Sequence, residues 1–194
     1  MKVIFKYGII LSITGIIASG SLAWINQITQ SKIIMQEHNK FDQGLYQVLP
    51  GTEKGIIIPV YLDSKIIAYQ GFSNPDTTDP IGYAFPADGI GYSGIIKTLA
   101  AIDTSGTVLA IKVLSQTETP GLGSKCEEIR AGESSPWCQE QFKGKKATDL
   151  AVDKDDGNID SISGATITSR AITNAVADSA RSLLRKLDTL KAEE

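Results

Sequence analysis

The 194-residue sequence has two cysteines, two methionines and one histidine, and its 19 Lys and Arg are outnumbered by 22 Asp and Glu. Each shortage removes a class of function. No metal site is expected, and no histidine-dependent mechanism, because His38 has no Cys, His or paired carboxylate cluster around it and reads as a solvated helix residue. Nucleic acid is a poor partner, since binding it draws on clustered Lys and Arg. Taking the +2 of Lys2 and Lys6 from the overall −3 leaves −5 on the rest of the chain. No Gly-x-Gly-x-x-Gly follows a strand, which removes the usual nucleotide-binding fold. A Ser-His-Asp set, a nucleophilic cysteine environment and a carboxylate dyad are also missing, so turnover of a small substrate by this chain alone is not expected.

Charge is absent from Tyr7 to Ile25. About twenty such residues span the ~30 Å hydrocarbon layer as a helix. Ser21-Leu22-Ala23 has the small-x-small form of a signal peptidase site, but the apolar run continues through Trp24, Ile25 and Ile28, which favours an uncleaved anchor over residues 1–27. Lys2 and Lys6 then place the amino terminus in the cytoplasm and everything after Gln27 outside, with Trp24 at the interface. A connecting helix is expected over 28–50, with apolar residues at Ile33, Ile34, Phe41, Leu45, Val48 and Leu49 and a stop at Pro50-Gly51.

Residues 51–194 read as one domain; 42% apolar and 21% charged residues fit a packed chain. Gly55 to Leu62 and Lys65 to Phe72 flank Asp63-Ser64 as a β-hairpin. Ile81 to Phe85 resumes an extended pattern, and Ile95 to Ile102 and Thr107 to Leu114 are two further strands around Asp103-Thr104-Ser105-Gly106. A twisted antiparallel sheet with flanking helices, an α+β fold, is expected. Thr148 to Val152 and Ile159-Asp160 are expected to form a last hairpin around an acidic turn. A long helix follows, with Ile172, Val176, Ala180, Leu183, Leu187 and Leu190 on one face.

The stretch Asp160-Ser161-Ile162-Ser163-Gly164-Ala165-Thr166 lies between that turn and that helix. A small-residue loop feeding a helix start suits an anion, because unpaired N–H groups and the positive dipole end converge there. Taken alone such a stretch is more often just a capping segment, with Thr168 or Ser169 as the cap. Asp-x-x-Ser-Gly-Ala-Thr resembles the flavinylation motif of the FMN-binding domain found in the G subunit of the Rnf ferredoxin:NAD oxidoreductase and the C subunit of the sodium-translocating NADH:quinone reductase. Glu118-Thr119-Pro120-Gly121-Leu122-Gly123 resembles a second stretch of that domain, in the family's order. Gly91-Tyr92-Ser93-Gly94-Ile95-Ile96-Lys97 and Trp137 with Phe142-Lys143-Gly144-Lys145 are similar to the Rnf G subunit.

The resemblance implies an FMN joined through its phosphate to the Thr166 hydroxyl. Ser163, Gly164, Ala165 and Thr168 would surround the attachment, with Glu118 to Gly123 and Tyr92 beside the ring. Asp160 resembles the motif acid that a flavin transferase recognises; its plain alternative is a solvated turn acid. The implied function is electron transport within an ion-translocating complex of the bacterial or archaeal inner membrane, beside other membrane subunits that include another flavin-bearing one. The C-type quinone reductase subunit and a non-flavinylated extracytoplasmic binding or assembly module are the alternatives. Cys126 and Cys138 stand where relatives are expected to have apolar residues. On the oxidising side of a membrane they would form a disulfide; the alternative is a pair of small buried thiols.

Overall fold

The computed structural model describes residues 2–193. The chain divides into two compact units, Met1–Lys40 and Phe41–Glu194. Helix α1, Lys2–Val48, is one unbroken element. No Pro lies between residues 2 and 48, so nothing interrupts the backbone ladder. In the first unit the apolar side chains of Ile4, Phe5, Leu11, Ile16, Leu22 and Trp24 are exposed. The hydroxyls of Ser12, Ser19 and Ser21 donate back to the carbonyls of Gly8, Gly15 and Ile17 at 2.8–2.9 Å. Polar groups satisfied within the helix and apolar ones facing out are what a hydrocarbon environment demands. Among the described residues, α1 is the helix long and apolar enough to cross a membrane.

The second unit is built on an antiparallel sheet: β1 (Ile56–Leu62), β2 (Lys65–Phe72), β3 (Pro80–Pro86), β4 (Gly89–Ile90), β5 (Ile95–Ile102) and β6 (Val108–Ser115). β1 pairs with β2, β2 with β3, and β5 pairs on one side with β3 and β4 and on the other with β6. The hairpin between β1 and β2 turns on Asp63 and Ser64, both at positive φ (49° and 64°), the backbone a two-residue turn between twisted strands requires. β3 and β4 keep one register along β5, from Tyr83↔Ile102 to Ile90↔Ile95. The Ala87 N–H to Thr98 bond (2.7 Å) spans the gap between them, and Gly91 N–H to Gly94 O (2.8 Å) closes the tip. Tyr92 and Ser93 therefore sit at the end of a long hairpin.

Alternation along β5 serves two cores. Ile96, Ala100 and Ile102 face a cluster built with helix α3 (Thr166–Glu193), through Ile172, Val176, Ala180, Leu183 and Leu187. Leu99 and Ala101 face Leu45, Val48 and Leu49 at the end of α1. The helical face expected for α3 is the one buried. A strand hidden on both faces carries the near-continuous apolar run seen here.

The expected hairpin around the acidic turn does not form. Ala147–Asp149 and Asp153–Asp155 are short 3₁₀ turns, and a parallel bridge, Val152↔Ile159, is the contact between the two arms. Asp156 is left-handed (φ 56°), and Gly157 N–H returns to Val152 O at 2.9 Å, so the loop closes on itself before a ladder can start. The expected disulfide is absent as well. Cys126 and Cys138 are free, buried thiols in the cluster against α3. They pack as small hydrophobes, the second of the two possibilities for this pair.

Candidate functional site

The segment before α3 descends through buried Ile162 and turns at Gly164 (φ 76°). Ala165 N–H bonds Ile162 O at 2.9 Å, and Ser169 N–H to Ala165 O (3.1 Å) is a first i→i−4 bond. Ser169 Oγ accepts from Ile162 N–H at 2.9 Å and donates to Ala165 O at 3.2 Å, stapling the loop to the helix. Thr166 is the first helical residue and half-buried. The N–H groups of Thr166, Ile167 and Thr168 belong to the first turn, where no intrahelical acceptor exists.

A cavity of about 610 Å³ opens beside this turn, within the range of roughly 300–1,000 Å³ usual for cofactor sites. Gly164, Ala165, Thr166 and Thr168 form one wall; Glu118, Thr119, Leu122 and Gly123 form another, and Tyr92 reaches in from the hairpin tip. Two sequence-distant stretches and the hairpin are thus brought together. Ile167, half of its surface exposed, joins them without a sequence signal. Pro120 and Gly121 form the outer crest of their turn, with Leu122 N–H bonded to Thr119 O at 3.1 Å, and do not line the cavity. Ser163 and Asp160 do not either. They line a neighbouring, more polar cavity of about 1180 Å³ with Lys125, Arg130 and Trp137. Asp160 is exposed, and Gln141 clamps its backbone, accepting from its N–H at 2.7 Å and donating to its carbonyl at 3.3 Å.

Glu118 is 6% exposed, and both its oxygens are engaged. Oε1 accepts from Ser93 N–H at 2.9 Å, and Oε2 accepts from the Thr168 hydroxyl. Burial pushes its carboxyl up, but the Thr168 hydroxyl and the N–H groups of Ser93, Tyr92 and Gly94 outweigh that and hold it below the usual glutamate value. A β-carbon at Gly123 would stand 2.6 Å from both Glu118 Oε2 and Thr168 Oγ1, and one at Gly91 would stand 2.6 Å from Glu118 Oε1. Close approach to this carboxylate demands glycine at both places.

Behind the motif, Asp153 Oδ1 accepts from Ser161 N–H at 3.0 Å and from its hydroxyl. The Ser161 hydroxyl, followed by lesser contacts that include Lys154, pulls the Asp153 carboxyl down to about 2. Arg170 grips Asp155 with two bonds of 2.6 and 2.7 Å, joining the acidic turn to the first turns of α3. These contacts fix the loop that presents Thr166, and none was indicated by a sequence pattern. Chemically the cavity offers uncommitted helix-start N–H groups for an anion and the apolar surfaces of Leu122, Ile167 and Tyr92 for a flat ring.

Residues 91–181 match the FMN-binding domain family. The G subunit of the ion-translocating oxidoreductase complex of Pasteurella multocida is 34% identical over 205 residues, covering 97% of each chain. That of Salmonella typhimurium is 34% identical over 197 residues, covering 91% of this chain and 89% of its own length. The crystal structure of the C subunit of the Na(+)-translocating NADH-quinone reductase from Parabacteroides distasonis superposes with a TM-score of 0.50 at 22% identity, over 79% of this chain and 96% of that one, which marks a shared fold. With an FMN-binding domain and this identity over nearly its full length, the chain belongs to the family formed by the G subunits of ion-translocating oxidoreductase complexes.

Proposed function

We propose that this protein is a single-pass, membrane-anchored electron carrier of an ion-translocating oxidoreductase complex, with FMN held covalently by a phosphoester to Thr166. The observation that carries the proposal is the cavity shared by the Thr166 helix start, the 118–123 loop and Tyr92. Thr166 Oγ1 would form the ester bond to the FMN phosphorus as the P–O–P bond of a flavin dinucleotide breaks, the nucleoside monophosphate half leaving and the hydroxyl proton passing to a base of the transferase or to water. A flavin transferase brings the nucleotide and recognises the exposed Asp160. The phosphodiester keeps one negative charge, which the first-turn N–H groups and the helix dipole stabilise without a dedicated Arg. Leu122, Ile167 and Tyr92, which line the cavity, would pack against the ring. The flavin supplies the redox chemistry, and the protein supplies attachment and orientation. Tethering keeps the carrier at a constant position relative to redox centres on partner subunits.

The domain faces the outer side of the membrane, on the strength of Lys2 and Lys6 preceding the apolar run. Protease added to intact spheroplasts then digests the domain; digestion only after lysis contradicts this orientation. Thr166→Val keeps the side-chain shape and removes the nucleophilic oxygen. It gives a folded protein, colourless after denaturation and washing, and retained colour would refute the attachment.

A further inference from the structure

Glu118 is placed unlike a ligand contact. Its carboxylate is buried at the cavity wall, with one oxygen on the hairpin tip at Ser93 and the other on Thr168 in the first turn of α3. Its own N–H donates to Gln116 Oε1 at 2.7 Å, and Gln116 Nε2 donates to Glu127 at 2.8 Å, so the Gln116 side chain braces the segment leading out of β6. Gly91 and Gly123 close around the carboxylate, where a β-carbon at either would stand 2.6 Å from one of its oxygens.

We propose that Glu118 is a positioning residue for the flavin: it ties the hairpin tip to the start of α3, and its fixed negative charge lowers the reduction potential of the ring in the cavity. This rests on the flavin function proposed above. Two electrons delivered with one proton leave the ring one unit more negative, and that charge is opposed by the carboxylate buried in the cavity wall. At an effective dielectric of about 20, one unit charge within roughly 10 Å changes an equilibrium by about tenfold or more.

The test uses the full-length flavinylated chain in detergent, reduced by dithionite. Glu118→Gln keeps the size, can still accept from Ser93 N–H and can donate to the Thr168 oxygen, but removes the charge. The expected result is a reduction equilibrium shifted at least about tenfold toward the reduced flavin, a rise of about 30 mV for a two-electron couple. An unchanged or lower potential overturns the electrostatic role. If this variant does not fold, Thr168→Val replaces it: a donor is lost and the charge stays, so the potential holds or falls, and a rise overturns the proposal. Hydrogen exchange in the flavin-free Thr166→Val background separates the clamp from the flavin assignment. Adding Glu118→Ala there must remove protection at the Ser93 amide; undiminished protection overturns the clamp, even if Thr166 carries no flavin at all.

Discussion

Gly123→Ala is the substitution that the site should tolerate least among the glycines of its loop. The new methyl group would lie 2.6 Å from Glu118 Oε2 and Thr168 Oγ1 and 2.7 Å from Glu118 Cβ. None of these atoms is the free end of an exposed side chain, since Glu118 and Thr168 are 6% and 1% exposed. Overpacking of this kind costs about 1–3 kcal/mol. Forcing the hydroxyl off the carboxylate costs a further ~1.5–3 kcal/mol for a buried bond to a charged group. The sum is a large share of the roughly 5–15 kcal/mol that holds a domain together. Gly121→Ala, two residues away, is the control. Nothing lies within 4 Å of its β-carbon, and its cost comes from φ 76° alone, about 1–2 kcal/mol. Urea unfolding of the full chain in detergent, followed by near-ultraviolet circular dichroism, should place the Gly123→Ala midpoint well below that of Gly121→Ala. Equal midpoints would refute the close packing of Gly123 on Glu118.

Three further outcomes follow from other parts of the fold. Burial pushes the Cys126 thiol up to about 12, with Cys138 adding, and burial pushes Cys138 up to about 11; both should resist alkylation at pH 8 in the native protein and both should react after denaturation without reductant. A species two daltons lighter (roughly the two hydrogens a bridge removes) that stays unreactive when unfolded would contradict free thiols. Because these folded values lie above the unfolded value of 9.0, the thiols' contribution to stability is fully present below pH 9 and is lost as pH rises through about 11 to 12; unfolding midpoints that rise over that window would count against it. Gln139, buried and bonded by Nε2 to Cys126 O at 2.8 Å, should be costly to replace by Leu, by about 1–3 kcal/mol for the orphaned carbonyl; a neutral change would show that water takes its place.

Much of the sheet was legible from residue pattern. The strands on either side of Asp63-Ser64, and Ile95 to Ile102, have the β-branched content and turn chemistry that define such segments locally. The acidic turn misled because Val152 and Ile159 share the alternation of strand residues, while their backbone partners are set by Asp156 and Gly157 turning too tightly for a ladder. The two thiols misled because the outer-side placement expected from Lys2 and Lys6 favours oxidation, whereas the fold packs them as small apolar side chains. At the site, Thr166, Leu122 and Tyr92 were found through motif resemblance. The work of Glu118 was not, because its partners lie 25 and 50 residues away along the chain and leave no periodic trace. Gln141 and Arg170, which hold the motif loop, were likewise invisible until the chain was folded.

The attachment of FMN to Thr166 is tested most directly by the mass of one peptide. Trypsin cuts after Lys154 and Arg170 and releases Asp155 to Arg170, with no Lys or Arg between them. From a host that has a flavin transferase, this peptide should be heavier by one FMN less water, with fragmentation placing the added mass on Thr166. The same peptide recovered wholly unmodified from that host, or carrying the mass on Thr168, would contradict it.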